Sequence, residues 1–189
     1  MGLRDIFSRT IEIRNKPKKE PLFIQATPLS TPKPKMKTNH KVFAITPKQL
    51  NRIVAATIAE AATEGTEGLQ GVINSAVNRT QVNPKYYGSN LWEVMSKPAQ
   101  YSGFSINDPN YTEVRDYLDG KTKKLSPGRK EQIEQVQQLF NQAKSGQLTD
   151  VTGGATHYIN PRKATDFSWV PKAKKTKTIG QHDFYYLKQ

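Results

Sequence analysis

The chain has 189 residues, a net charge of +13, an apolar content of 35% and no cysteine. The length suits one domain with a real core and some extra chain. The low apolar share implies that part of the length is not packed. Disulfides, thiol nucleophiles and cysteine-based zinc sites are excluded. The charge favours polyanionic partners (nucleic acid, anionic lipid or an acidic cell-wall polymer) without choosing among them. No stretch is long and apolar enough to cross a bilayer. The first sixteen residues lack the continuous apolar run of a secretory signal, so action outside a cytoplasm implies delivery by other means.

Three zones follow in chain order. In residues 1–14, Leu3, Ile6, Phe7 and Thr10 recur at helical spacing, which predicts a short amphipathic segment. Alone it is marginal; a docked helix on a partner, a helix on a membrane surface and a frayed tail all fit. Residues 15–41 alternate Pro17, Pro21, Pro28, Pro32 and Pro34 with seven lysines. Proline favours extended chain and lysines repel one another, so a disordered, semi-extended basic linker is expected. Residues 1–41 hold ten Lys or Arg against three acids, +7 of the +13. Half of the basic character therefore sits outside the folded domain, which weakens a nucleic-acid role for the domain itself.

The folded domain is expected over 42–189. Thr46, Pro47 and Gln49 form a capping-box start. Leu50, Ile53, Val54, Thr57, Ile58 and Ala61 make the apolar stripe of a first helix that Gly65 closes. A second helix is predicted over 67–79, burying Leu69, Val72, Ile73, Ala76 and Val77. A third starts near Asn90 and stops before Pro98. A fourth opens at Asp108-Pro109 and closes at Gly120. A fifth opens at Ser126-Pro127, with Ile133, Val136, Leu139 and Phe140 inward, and ends near Gly146. Beyond it the helical period stops. Gly153-Gly154, Asn160-Pro161 and Val170-Pro171 punctuate short extended pieces, with strands expected in 155–160 and 177–187. The class is α+β, mostly α, with a small C-terminal strand-and-loop lobe.

Glu60 is the most informative residue. It is an acid set among Ile58, Ala59, Ala61 and Ala62. A carboxyl in apolar surroundings tends to keep its proton. A protonated carboxylic acid near neutral pH is what the leaving group of a glycosidic bond needs. The plain alternative is a charged residue on the wet face of a helix.

Two blocks carry a resemblance. The first is Glu60-Ala61-Ala62-Thr63-Glu64, then Glu67-Gly68 and Asn78-Arg79. The second holds Gly154, Tyr158, Asn160-Pro161, Trp169, Ile179-Gly180, His182 and Phe184, with Gln100-Tyr101-Ser102 between the two. In this order the chain resembles the cell-wall hydrolases of the spore cortex-lytic, SleB-like type over roughly residues 50–186. It departs at Leu69, where the family has glutamine, and at Ala62, where arginine is usual. The resemblance implies a lysozyme-like fold and cleavage of the MurNAc–GlcNAc bond of peptidoglycan. Carried over by position, it makes Glu60 the single acid/base of a lytic transglycosylase or muramidase, and no second carboxylate of the kind a classical glycosidase needs is obvious.

Glu64 lies four residues on, which puts it on the same helical face as Glu60. It either acts on substrate and on the proton affinity of Glu60, or bonds backbone at the helix end, or is simply solvated. Tyr158 and Asn160 are candidates for the glycan groove, although Asn160-Pro161 is also a turn sequence. Gln100 and Ser102 are further substrate-binding candidates. Trp92 and Trp169 read as core. His157, His182 and Asp183 lack metal-ligand spacing, so no metal or cofactor is expected, and His182 is expected to hydrogen-bond within the lobe. The basic arm points to a bacteriophage enzyme, made in the host cytoplasm and carried by the virion to the host wall. In that reading residues 1–41 meet a virion or carrier protein, with non-specific nucleic-acid contact by the arm. An endolysin is the variant without a tether. The rival class is a structural or nucleic-acid-binding virion protein with an inactive lysozyme-like domain.

Overall fold

Helix α1 (Pro47–Ala61) is buried at six consecutive positions, Ile53 to Ile58. Six buried positions in a row cover every side of a helix, so the middle of α1 lies inside. Here it is ringed by α2 (Gly65–Val82), α4 (Leu91–Met95), α5 (Pro109–Leu118), α6 (Arg129–Lys144) and a short 3-10 turn, Ser102–Phe104. A one-turn α3 (Pro84–Tyr87) links α2 to α4. These come from a computed structural model that describes residues 40–98 and 100–187. The expected amphipathic segment 1–14, and the linker up to residue 39, lie outside the described residues. No described helix is long and apolar enough to cross a membrane.

The local signals act as their chemistry dictates. Thr46 Oγ1 accepts from the Gln49 amide (3.2 Å), and Gln49 Oε1 accepts from the Thr46 amide (2.8 Å). Two orphan amides of the first turn of α1 are thus satisfied. Asp108 caps α5, accepting from Asn110 N and Tyr111 N. Two expectations need correction. Gly65 does not close α1, which ends at Ala61; it opens α2 two residues before the predicted start. Ser126-Pro127 does not cap α6. The Ser126 amide is spent on Glu113, and the helix begins at Arg129 after a left-handed Gly128.

The C-terminal lobe is a three-stranded antiparallel sheet in the order β1 (His157–Ile159), β3 (His182–Tyr186), β2 (Lys174–Ile179). Tyr158 stands opposite Phe184. The stretch 177–187 is a hairpin rather than one strand, because Gly180 takes φ 55° and reverses the chain. The lobe's own core is small: Val151, Ala155, Ile179 and Phe184. So few apolar side chains cannot order a sheet alone.

Polar contacts supply the rest. Gln70, Asn74 and Asn78 recur every four residues on α2, and so share one face. Gln70 Nε2 donates to Thr149 O (2.8 Å), Asn74 Oδ1 accepts from Val151 N (3.0 Å), and Asn78 Nδ2 donates to Asp150 Oδ2 (3.1 Å) and Ala155 O (3.0 Å). This stripe fixes the loop that leads into β1. Arg79 completes it: only 4% exposed, it donates to Thr156 O and to Gln100 Oε1, and its guanidinium lies 4.9 Å from the Tyr101 ring.

Asn74→Ala strands the buried Val151 amide. The expected loss is about 1–3 kcal/mol, read as a lower urea midpoint with an unchanged slope. A midpoint equal to wild type would mean that the stripe does not hold the lobe.

Candidate active site

Glu60 sits in the last turn of α1, half-buried, at the wall of an open groove of about 480 Å³. The groove also meets Glu64, Ser102, Tyr158, Asn160 and His182. Ile58 and Ala61 are buried, so they point into the helical core and not around the carboxylate. Of the four apolar neighbours expected around Glu60, Ala59 and Ala62 stay with it at the groove, and polar donors join them. Ser102 Oγ donates to Oε1 (2.9 Å), the Gly103 amide donates to the same oxygen, and Tyr158 Oη donates to Oε2 (2.9 Å). Three separate parts of the chain thus meet on one carboxylate.

Each donor has a local cause. Gly103 lies flush on α1. A Cβ there would stand 2.6 Å from Ala56 O and 2.9 Å from Glu60 Cγ, so only glycine lets its amide reach. Tyr158 is placed by β1 and packs against Phe184 (5.5 Å) and edge-on against His182 (5.4 Å). Its phenol is pushed well above its ordinary pKa, first by burial and then by the Glu60 charge. It is therefore a donor and not a phenolate at any ordinary pH. Helix α5, whose N-terminus brings Asp108 and Asn110 to the groove, is held to α1 at its far end by the Arg52–Asp119 pair (2.8 Å) and by Asn51 Nδ2 donating to Leu118 O.

Glu64 has a different task. Its side chain is 4% exposed. Oε2 accepts from the Gln181 amide (2.7 Å) in the β2–β3 turn, and Oε1 accepts from Thr63 Oγ1 (3.2 Å). A Cβ on Gly180 would meet Glu64 Oε2 at 2.0 Å, and one on Gly68 would meet Glu64 Cβ at 2.2 Å. The glycines of both sequence blocks thus make room for this acid, which ties the α1–α2 junction to the hairpin. The backbone it bonds is that of the hairpin and not of its own helix end, and its side chain also lines the groove.

The other candidates divide. Ser102 and Tyr158 line the groove, but each hydroxyl is turned to Glu60. Asn160 lines it too, while its Oδ1 accepts from Arg162 N (3.0 Å), so it is also the turn its sequence announced. Gln100 is not a groove residue; its Oε1 receives Arg79 Nη1 at 2.7 Å. Trp92 is partly buried against Phe104. Trp169 lies outside both core clusters, half-buried on His157 (5.1 Å) and Tyr185 (5.4 Å). His182 faces the groove, with Nδ1 3.9 Å from Glu64 Oε1, and burial lowers its pKa despite the two glutamates nearby. Among the described residues no three His, Asp or Glu gather as a metal-holding group. Sequence reasoning missed Gly103, a backbone donor that carries no side-chain signal. It also gave no role to Arg79, although Asn78-Arg79 was a marked motif.

The cell wall hydrolase family model matches residues 63–185. The chain belongs to the cell wall hydrolase family. Two solved structures share its fold. One is the catalytic domain of the germination-specific lytic transglycosylase SleB from Bacillus anthracis, at 20% identity and a TM-score of 0.51, covering 75% of this chain and 97% of that one. The other is the catalytic domain of the Bacillus cereus SleB protein, at 19% identity and a TM-score of 0.51, covering 79% and 98%. No curated protein matches the chain. The family match begins three residues after Glu60, so the role of Glu60 rests on geometry and motif order.

His157, next to Tyr158 on β1, gives a pH test of the lobe. Burial, with the Arg79 charge nearby, lowers its imidazole to about 4, against about 6.5 in an unfolded chain. Between those values the unfolded chain binds a proton that the folded chain refuses. The contribution to stability is complete above about pH 6.5 and is lost as pH falls through about 4. His157→Gln should flatten this part of the acid limb in urea midpoints measured from pH 7 to 4. An unchanged pH slope would mean that His157 titrates normally in the fold.

Proposed function

We propose that this protein degrades peptidoglycan by cleaving the MurNAc–GlcNAc glycosidic bond, with Glu60 as its single acid/base, in a lytic transglycosylase reaction. The carrying observation is that Glu60 alone among the acids of the groove is held by side-chain hydroxyls from two distant segments, Ser102 and Tyr158, and by no structural task of its own helix or turn. Glu64 is buried on the hairpin turn and Asp108 is spent on the cap of α5. A glycosidase with two free carboxylates would need one of them. Family membership supports a peptidoglycan-degrading enzyme, and the one-carboxyl arrangement supports the transglycosylase chemistry over hydrolysis.

The steps follow from the hydrogen bonds. The Gly103 amide can only donate, so it favours an unprotonated Oε1. Oε2 faces the Tyr158 hydroxyl, which can donate or accept, and so it is the oxygen that carries the transferable proton. Glu60 in its acid form gives this proton to the glycosidic oxygen as the bond from C1 of the muramoyl residue breaks. The carboxylate left behind faces the positive charge at C1. It then takes the proton of the muramoyl C6 hydroxyl, whose oxygen closes on C1 as a 1,6-anhydro ring. Ser102 and Tyr158 hold the carboxyl in both charge states, because hydroxyls serve as donor or acceptor.

Placement completes the reading. The basic Pro/Lys arm, 1–41, tethers the enzyme to a carrier, with a bacteriophage virion acting on the host wall as the favoured case. Its lysines add contacts to polyanions such as nucleic acid. No catalytic motif lies in the arm.

Glu60→Gln should lower glycan cleavage by about two orders of magnitude or more with folding intact, and Tyr158→Phe by about tenfold. Near-wild-type turnover in Glu60→Gln refutes the assignment. Mass spectrometry of digested sacculi should show anhydro-muramoyl ends; fragments one water heavier, with reducing muramic acid, would make the enzyme a hydrolytic muramidase. A chain starting at His40 should still cut soluble glycan fragments but lose its carrier. If that chain keeps both properties, the arm is no tether and an endolysin fits better.

A further inference from the structure

The groove has an uneven charge pattern. Glu60, Glu64 and Asp108 all line it, and each already accepts hydrogen bonds from its own chain. Lys163 also lines it, from the segment that follows β1. This side chain is exposed. Among the described residues its ammonium has no ion-pair or hydrogen-bond partner. Its backbone is not loose. Lys163 N and Ala164 N both donate to Asn160 O (3.0 Å each), and Arg162 N donates to Asn160 Oδ1. The turn at Asn160 therefore sets an unpaired cation at the groove wall, next to an exposed Arg162. Its charge is felt within the groove, where it acts against protonation of His182.

A glycan backbone offers hydroxyls and acetamides, which give a lone ammonium little to bind. The muramoyl residue differs. Its lactyl ether carries a short peptide stem, and the stem carries free carboxylates. An ammonium at the wall of a glycan groove meets such a stem where it leaves the sugar.

We infer that Lys163 forms a carboxylate-binding subsite that makes the enzyme prefer glycan strands still bearing acidic peptide stems over strands stripped of them. The inference rests on the glycosidase reading above and names the substrate form within it. Lys163 takes no part in proton transfer. It acts by pairing with a carboxylate at the groove wall, an exposed contact that salt weakens.

The test compares three substrates: purified glycan strands with intact stems, the same strands stripped by an amidase with the lactyl carboxylate that this frees capped as an amide, and strands whose stem carboxylates have been converted to amides. The readout is the ratio of kcat/KM between intact and stripped strands. In the full-length protein Lys163→Gln should reduce that ratio about two- to fivefold, the span of an exposed ion pair. Lys163→Arg should retain it, and amidated strands should behave as stripped ones with the wild type. Raising salt should erase the wild-type preference. A ratio unchanged in Lys163→Gln, or lost equally in Lys163→Arg, overturns the subsite. A wild-type preference that survives amidation overturns it as well, by showing that shape and not charge is read. A wild-type protein that cuts neither intact nor stripped strands refutes the glycosidase reading itself, and this inference with it.

Discussion

The polar stripe of α2 is the constraint on which the site depends. The sheet lobe has too small a core to choose its own position against the helices. Gln70, Asn74 and Asn78 hold the loop before β1 by its backbone, and Arg79 holds Thr156 at the start of the strand. Backbone bonds of this kind fix position more sharply than apolar contact, because they are directional. A lobe shifted by one residue would put Tyr158 on the opposite face of the sheet. Oε2 of Glu60 would then lose its only donor among the described residues. The geometry around Glu60 thus depends on residues of α2 that do not line the groove.

Glu60 and Glu64 show how one turn of chain separates two uses of the same side chain. Glu60 is still in α1, which the core fixes, and its carboxylate meets hydroxyls at the groove. Glu64 follows the break between α1 and α2. Its carboxylate is nearly buried and serves a backbone amide of the hairpin. Burying a charge is costly unless hydrogen bonds compensate, and Gln181 N and Thr63 Oγ1 supply them. Glycine at 68 and 180 is what gives this buried acid its space. Two sequence motifs far apart in the chain are therefore explained by one side chain between them.

Much of the helical part was legible in the sequence because the signals are local. Thr46-Pro47-Gln49 and Asp108-Pro109 act through contacts within a single turn, and the apolar stripes of α1 and α2 have the period of the helix that buries them. The errors lie where a distant partner overrides a local preference. Ser126 is a good cap by type, but Glu113 of α5 holds its hydroxyl as well as its amide. Gly65 looked like a stop, and it is instead the first residue of the next helix. Glu60 was found for a partly mistaken reason. Ile58 and Ala61 turn into the core and only Ala59 and Ala62 stay at the groove, while the groups that bond its carboxylate come from residues 102, 103 and 158. Gln100 sits beside Ser102 in the sequence, but the chain turns between them and gives Gln100 to Arg79. No periodicity reports a backbone donor such as Gly103, so that member of the site could only be seen folded.

The basic charge of the domain is not one property. Lys174, Lys175 and Lys177 stand on β2, which is an edge strand of the sheet. Lysines there keep the unpaired edge from accepting another chain, and Lys175 is already paired with Asp183 at 2.7 Å. Their positions are explained by the sheet without any partner. Lys163 is not on an edge and guards no strand. It is held by a turn that also shapes the groove, close to groups that serve the carboxylate of Glu60. High net charge alone therefore cannot assign a polyanion site on this domain. Position separates the lysines that protect the fold from Lys163, which lines the groove.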